Sequence, residues 1–178
     1  MSLTVFNPLI TSAMILSLAG CGLIQSVGDT TSDAAHSIFY KQVKTLHLDF
    51  TGRAGLNTDA TDMNALSVPT LLRIYQTTDD RSIRLGTYER LLGDDEALLG
   101  AQLLDKQTVL MKPGEGTQLN VPLKPGTRFV TVIAFVRTPD LQRDTWRLVL
   151  ERDDLDPDRP RVVELGDERL LLRPLTEA

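Results

Sequence analysis

Three groups in this 178-residue chain have residue types and spacing that could do chemistry: two acidic runs and one lone thiol. The run Asp154, Asp156, Asp158 offers the alternating oxygens of a calcium loop. Such a loop also needs glycine at its sixth place and glutamate at its twelfth, where this chain has Arg159 and Leu165. The run Asn57, Asp59, Asp62, Asn64 lacks that frame as well. Both read as solvated acidic turns, and no metal or other cofactor is expected. Nucleophilic catalysis finds as little support. His36 lies in a polar stretch and His47 on the polar side of a strand pattern, with no Gly-x-Ser-x-Gly elbow and no glycine-rich phosphate loop. A Ser/His/Asp cluster gathered from distant parts of the chain stays open in principle, since such clusters converge in space. No residue pattern asks for one, and the expectation is a protein that is not an enzyme.

The thiol has a different chemistry. Cys21 is the only cysteine, so an internal disulfide and a cysteine-built zinc site are excluded. No charged residue precedes Asp29, and residues 9–19 are apolar or small. Eleven such residues match a signal-peptide core, whereas a spanning helix wants about 20. Leu18-Ala19-Gly20-Cys21 resembles the lipobox of bacterial lipoproteins. In that chemistry the thiol accepts a diacylglyceryl group as a thioether. Small residues before it fit the peptidase that then frees its amine for a further acyl chain. At about 0.8 kcal/mol per buried methylene, several chains hold firmly where a single myristoyl is marginal. Residues 1–20 are therefore read as a signal peptide and Cys21 as the lipidation site. Gly22 stands where lipoproteins kept at the inner membrane often carry Asp, so the resemblance implies the outer membrane.

Charge and composition narrow the partners. Nineteen Lys+Arg against 24 Asp+Glu give a net charge of −5, with no basic block to displace counterions from a nucleic acid. A polybasic segment for an anionic membrane surface is also absent. At 42% apolar and 24% charged residues the composition is globular.

The elements that would position these residues are strands. Residues 22–42 are small and polar, a flexible tether spanning on the order of 25 Å, with Ile38, Phe39 and Tyr40 marking where it meets the domain. From residue 43 to 175 the pattern is period two, broken by turn signals. Leu46, Leu48 and Phe50 alternate with Thr45, His47 and Asp49; residues 68–77 follow, then 108–111 and 117–123 around a hairpin-type break at Pro113-Gly114-Glu115-Gly116. Residues 129–136 are apolar on both faces except Thr131, as in a central covered strand; Trp146, Leu148 and Leu150 mark the next, and 161–165 and 168–173 close the domain. One helical stretch, residues 80–99, lies between the second and third strands; Ile83, Tyr88, Leu91 and Leu92 form its stripe and Gly93-Asp94-Asp95 breaks it in two. About eight strands without alternating helices predict an all-β, two-layer antiparallel sandwich with a short helical insert.

These residues carry a family resemblance. Leu56-Asn57-Thr58-Asp59, a loop, then Ser67-Val68-Pro69-Thr70-Leu71-Leu72-Arg73-Ile74-Tyr75-Gln76 resembles the TssJ lipoproteins of type VI secretion systems. The helical insert after that strand, the turn at Leu110-Met111-Lys112-Pro113-Gly114 and the C-terminal strands are similar too. The resemblance implies a transthyretin-like sandwich tethered to the inner leaflet of the outer membrane, facing the periplasm. It implies one partner, the periplasmic C-terminal domain of TssM, met largely by the loop between the first two strands, here residues 53–67. That loop is long for a strand connection, and the expected contact residues are Leu56, Asn57, Asp59, Asp62, Met63, Asn64 and Leu66. The residues alone leave a second reading open, in which Leu56 and Leu66 tuck under the sandwich edge and the rest is solvated. The alternative function is a periplasmic ligand- or peptide-binding lipoprotein on the same sandwich; no small-molecule substrate is expected under the first reading.

Cys21→Ser should remove the protein from the membrane fraction while the soluble domain still binds its partner. Fractionation of cells carrying the variant checks this, and serine protein retained in the outer membrane would contradict it.

Overall fold

The structure is a computed structural model that describes residues 43–57 and 66–175. The readings for residues 1–42, including the signal peptide, Cys21, the tether and Ile38, Phe39 and Tyr40, lie outside the described residues. So do Asp59, Asp62, Met63 and Asn64.

Period-two alternation becomes eight strands: β1 (Thr45–Gly52), β2 (Thr70–Thr77), β3 (Leu103–Met111), β4 (Gly116–Pro122), β5 (Phe129–Phe135), β6 (Arg147–Glu151), β7 (Arg161–Gly166) and β8 (Arg169–Leu172). They form two four-stranded sheets ordered β4-β1-β7-β8 and β3-β2-β5-β6. Leu46, Leu48 and Phe50 of β1 point into the space between the sheets, where they meet Leu72, Ile74, Val130, Val132, Val163 and Leu165. Burial of these apolar faces is the main force holding the layers together.

The sheets depart from the sequence reading in two ways. First, β1 pairs antiparallel with β4 but parallel with β7, so that sheet is mixed. Second, Pro113-Gly114-Glu115-Gly116 does not close a hairpin: β3 pairs with β2 and β4 with β1, so the chain changes sheets there. Gly114 has φ +74°, a backbone conformation that suits the sharp corner. Turn residues encode a reversal of direction; which sheet the returning strand joins is decided by the apolar faces it must cover.

The insert between β2 and β3 is three short helices rather than two, α1 (Arg81–Leu85), α2 (Tyr88–Gly93) and α3 (Asp95–Leu99), followed by a 3₁₀ turn at Gly100–Gln102. The extra break falls at Gly86, whose backbone turns extended, and Thr87, whose hydroxyl accepts the Arg90 N–H at 3.3 Å. A Cβ on Gly86 would sit 2.7 Å from the Leu98 side chain and 3.0 Å from the Ser82 carbonyl, so a side chain there would push both neighbours aside. The break resets the helical phase. Leu91 therefore faces inward, and Leu92, placed on the same stripe by the sequence reading, is exposed.

Helices this short are not stable alone. They are held by a second core on the outer face of the β2/β5 sheet, built from Tyr75, Ile83, Leu91, Leu99, Ile133 and Trp146. This explains why β5 is apolar on both sides. Two arginines from the sheet cap the helices: Arg73 donates to the Leu91 and Leu92 carbonyls at 2.8 and 3.1 Å, and Arg147 donates to the Ile83 and Gly86 carbonyls. Both guanidinium groups also stack on rings, Arg73 over Phe135 at 4.9 Å and Arg147 over Trp146 at 4.8 Å. Asp95 is buried beside them, accepting from Tyr75 Oη at 2.8 Å and pairing with Arg73 and Lys106, each at 3.3 Å. Burial alone would raise the Asp95 carboxyl. The phenol hydrogen bond and the two cations outweigh it, and Asp95 sits below the ordinary carboxylate value. Burial, then the hydrogen bond to Asp95, drives the Tyr75 phenol well above its own.

Gln76, buried in β2, ties the β4–β5 connection to the other sheet. Its Oε1 accepts from Lys124 N at 2.8 Å and from Thr127 Oγ1 at 3.1 Å, and its Nε2 donates to the Pro122 carbonyl at 3.0 Å. Thr131 in β5 is the contrasting case, a buried hydroxyl with no hydrogen-bond partner among the described residues. Gln76→Leu leaves three groups without their partner, the Thr127 hydroxyl among them buried, and should cost about 2–4 kcal/mol, whereas Thr131→Val should be neutral or stabilise by up to about 1 kcal/mol. Urea unfolding of both variants checks this; equal losses would contradict the assignment of the polar core.

Candidate functional site

Strand directions gather four of the connections at one end. β1 and β7 run parallel, and β4 and β8 run against them. In the other sheet β3 and β5 run opposite to β2, and β6 opposite to β5. Gly52 N–H donates to the Glu115 carbonyl at 2.9 Å, which places the β3–β4 connection beside the end of β1 and fixes the two sheets' relative direction. The β1–β2, β3–β4, β5–β6 and β7–β8 connections therefore share one end of the sandwich, called apical below. The chain enters the sandwich at the opposite, basal end, just before β1.

The root of the β1–β2 loop is clamped. Arg53 N–H donates to the Leu165 carbonyl at 2.9 Å, and Gly114 N–H donates to the Arg53 carbonyl at 3.3 Å. The Arg53 side chain forms an ion pair with Glu164 of β7 and lies 3.4 Å from Asp167. Its methylenes occupy the space beside Gly166, where a Cβ would come within 2.5 Å of them. Glu164 pairs as well with Arg173 at 2.8 Å. Arg173 and Arg53 hold the Glu164 carboxyl below its ordinary value, and Glu164 in turn raises Arg53. Because the folded value is lowered, this contribution is present above the ordinary carboxylate value of about 4.3 and is lost as pH falls through the folded one.

Further along, Leu56 is fully buried in the main core. Asn57 is buried too, with φ +51°, and its Oδ1 accepts the Arg137 N–H at 2.7 Å. Asparagine is among the few residues that adopt this left-handed conformation readily. At the far side of the loop, Ser67 Oγ donates to the Ala54 carbonyl at 2.7 Å and closes the loop on itself. The β7–β8 turn has Asp167 and Glu168 both at positive φ, the pattern of a tight two-residue hairpin. Glu168 accepts a hydrogen bond from Thr138 of the β5–β6 connection.

The expected contact residues thus divide. Leu56 and Asn57 face inward and build the root. Leu66 is 66% exposed. Asp59, Asp62, Met63 and Asn64 lie outside the described residues. The residues that sequence reasoning missed are the clamp partners Arg53, Glu164, Arg173 and Arg137. Arg53 and Glu164 are 111 positions apart and Asn57 and Arg137 are 80 apart, with no local pattern to reveal either pair. Only Asn57 carried a signal, a short polar residue suited to positive φ.

The other groups considered for chemistry have structural roles. His47 Nδ1 lies 2.6 Å from Asn120 Oδ1 across the β1–β4 pair. Asp154 caps the 3₁₀ turn at Arg152–Asp154 by accepting the Glu151 N–H at 2.8 Å, and Asp156 accepts the Asp158 and Arg159 N–H groups at 2.8 and 3.1 Å. No cluster of three or more His, Cys, Asp or Glu suited to a metal ion occurs among the described residues. Two clefts on the helical side are open and charged, one lined by Asp79, Arg81, Arg84 and Arg128, the other by Arg84, Arg143, Asp144 and Arg147.

The described residues form a two-layer sandwich whose connections are cross-linked at one end. Comparison with known proteins gives the family. Residues 44–168 match the family model described as type VI secretion lipoprotein, VasD, EvfM, TssJ. A chain of a solved type VI membrane complex is 36% identical with a TM-score of 0.70, over 75% of this chain and 100% of that one. A chain in the solved structure described as the T6SS protein TssM C-terminal domain from EAEC is 34% identical with a TM-score of 0.65, over 75% and 100%. The T6SS lipoprotein TssJ1 from Pseudomonas aeruginosa is 25% identical with a TM-score of 0.59, over 75% and 98%. Among curated protein sequences none matches. The chain belongs to the type VI secretion lipoprotein family. A protein of this family is a structural part of a secretion apparatus and not an enzyme.

The division of the loop can be measured as stability. Leu56→Ala should cost about 2–5 kcal/mol, as for other buried leucines, while Leu66→Ala should stay within about 0.5 kcal/mol. Chemical denaturation checks both; a neutral Leu56→Ala would remove Leu56 from the core.

Proposed function

We propose that this protein is a lipoprotein of the outer membrane, facing the periplasm, that anchors the type VI secretion membrane complex by binding the periplasmic C-terminal domain of TssM. The observation that carries the proposal is the 34% identity to the full length of a chain in a solved structure described by that TssM domain. The chain's own parts suit the task. Acyl chains on Cys21 would supply retention, and residues 22–42 would supply reach. The sandwich supplies a rigid platform, because the root of its β1–β2 loop is fixed by Leu56, Asn57 and the Arg53–Glu164 pair. The tip, with Asp59, Asp62, Met63, Asn64 and Leu66, supplies the contact. A few apolar anchors among polar residues are typical of such surfaces. A rigid root lowers the ordering cost that a loop meets on binding.

Replacing residues 58–66 by a glycine-serine linker of equal length should weaken binding to the purified TssM periplasmic domain at least about tenfold and leave the unfolding midpoint of the sandwich in place. Calorimetry reads the first and urea unfolding the second. Unchanged affinity would take the loop out of the interface, and an intact protein that ignores the TssM domain would overturn the function.

A further inference from the structure

The sheets end in four edge strands, β3, β4, β6 and β8, whose free backbone groups are treated differently. β6 and β8 are blunted by local bonds. Arg147 N–H donates to the Asp144 carbonyl at 3.0 Å, Glu151 N–H to Asp154 at 2.8 Å, and Leu170 N–H to the Thr145 carbonyl at 2.8 Å. β3 carries the charges of Asp105 and Lys106. β4 has no charged residue from Gly116 to Pro122, and among the described strands it pairs only with β1. The register shows which of its groups face outward. At the two ends of the β1–β4 ladder, Leu123 N–H donates to the Lys44 carbonyl and Gly52 N–H to the Glu115 carbonyl, both at 2.9 Å. Antiparallel strands exchange hydrogen bonds at every second position. Thr117, Leu119 and Val121 therefore point their main-chain groups at β1, and Gly116, Gln118 and Asn120 point theirs away from it. The outward run is bounded on both sides. Gly114 N–H is held by the Arg53 carbonyl at 3.3 Å, while Pro122 has no N–H and its carbonyl accepts from Gln76 at 3.0 Å.

We propose that β4 is a self-association surface, pairing antiparallel with β4 of a second copy of this chain about a two-fold axis at Gln118. The bounds fix that register. With Gln118 opposite its own copy, Gly116 stands opposite Asn120, and every outward N–H of the run meets an outward carbonyl. A shift by two residues sets Asn120 against Gly114 or Gly116 against Pro122, and either leaves a carbonyl without a donor. The side chains agree with the pairing. Gln118 and Asn120 lie exposed on the outer face, whereas Leu119 and Val121 are half-buried at the rim of the core. A second β4 lays Thr117 beside Leu119 on the inner face and sets polar side chains against polar ones on the outer. Charge selects the same seam. The chain carries −5 overall, yet this strand is neutral, so no like charges meet directly across the axis. An uncharged edge with a run of unpaired groups is the kind that joins another strand. Pairing here leaves the apical end of each copy uncovered.

The test uses the full chain carrying Cys21→Ser, so that an introduced cysteine is the only thiol. Gln118→Cys places two Cα atoms about 5.5 Å apart across the axis, within disulfide reach. Asn120→Cys, equally exposed, places them on the order of 14 Å apart. Under mild oxidation Gln118→Cys should give a covalent dimer and Asn120→Cys should give none. Sedimentation equilibrium of the chain without an added cysteine should show reversible dimers. Gln118→Lys sets two like charges opposite each other and should weaken those dimers at least about tenfold. Lysine suits an exposed strand edge, so the unfolding midpoint of the dilute monomer should stay in place. A chain that remains monomeric up to about 1 mM would overturn the proposal. Dimers that form equally well with Gln118→Lys would put the contact elsewhere and overturn it too. A covalent dimer from Asn120→Cys with none from Gln118→Cys would overturn the register and with it the two-fold seam. These measurements need no second protein, so their outcome is separate from that of the function proposed above.

Discussion

The pairing of β1 on both of its edges is the interaction on which the rest of the molecule depends. Antiparallel to β4 on one side and parallel to β7 on the other, β1 runs through the interior of its sheet with Leu46, Leu48 and Phe50 buried beneath it. The chain enters at its basal end and leaves at its apical end into the β1–β2 loop. Eight strand residues span about 26 Å, so the entry point and the loop are kept on opposite poles by a rigid rod. Parallel pairing with β7 has a second effect. It brings Leu165, Gly166 and Glu164 alongside the point where β1 ends, which is where Arg53 needs its partners. A sheet with β7 running the other way would leave the loop root without its clamp.

The two faces of the sandwich are used differently. One outer face is covered by α1, α2 and α3, whose hold on the sheet combines an aromatic and aliphatic core with the arginine caps and the Asp95 cluster. The other carries polar residues such as His47 and Asp49. At the apical end, main-chain and side-chain bonds join four connections.

The sequence read most clearly where one physical rule acts locally. The alternation at Leu46, Leu48 and Phe50 and the doubly apolar β5 both follow from side-chain period. The number of strands and the place of the helical insert were legible for the same reason. The crossing at Pro113 and Gly114 and the parallel β1–β7 pair were not, because they depend on which faces remain to be covered once other strands have paired. The inserted helices show the same limit: Gly86 and Thr87 shift the phase of the stripe, and Leu91 rather than Leu92 enters the core. At the candidate site the loop was visible from its length, but the burial of Leu56 and the exposure of Leu66 were not. Leu56 and Leu66 are the same residue type in the same loop, and only the packing of distant strands separates them.

The central claim is that the apical end, and not the helical face, meets the secretion apparatus. Site-specific photocrosslinking in living cells tests it most directly. A photoreactive residue placed at Leu66, in the apical loop, should yield an adduct with TssM, while one at Leu85, still more exposed but on α1, should yield none. An adduct from position 85 without one from position 66 would contradict the account.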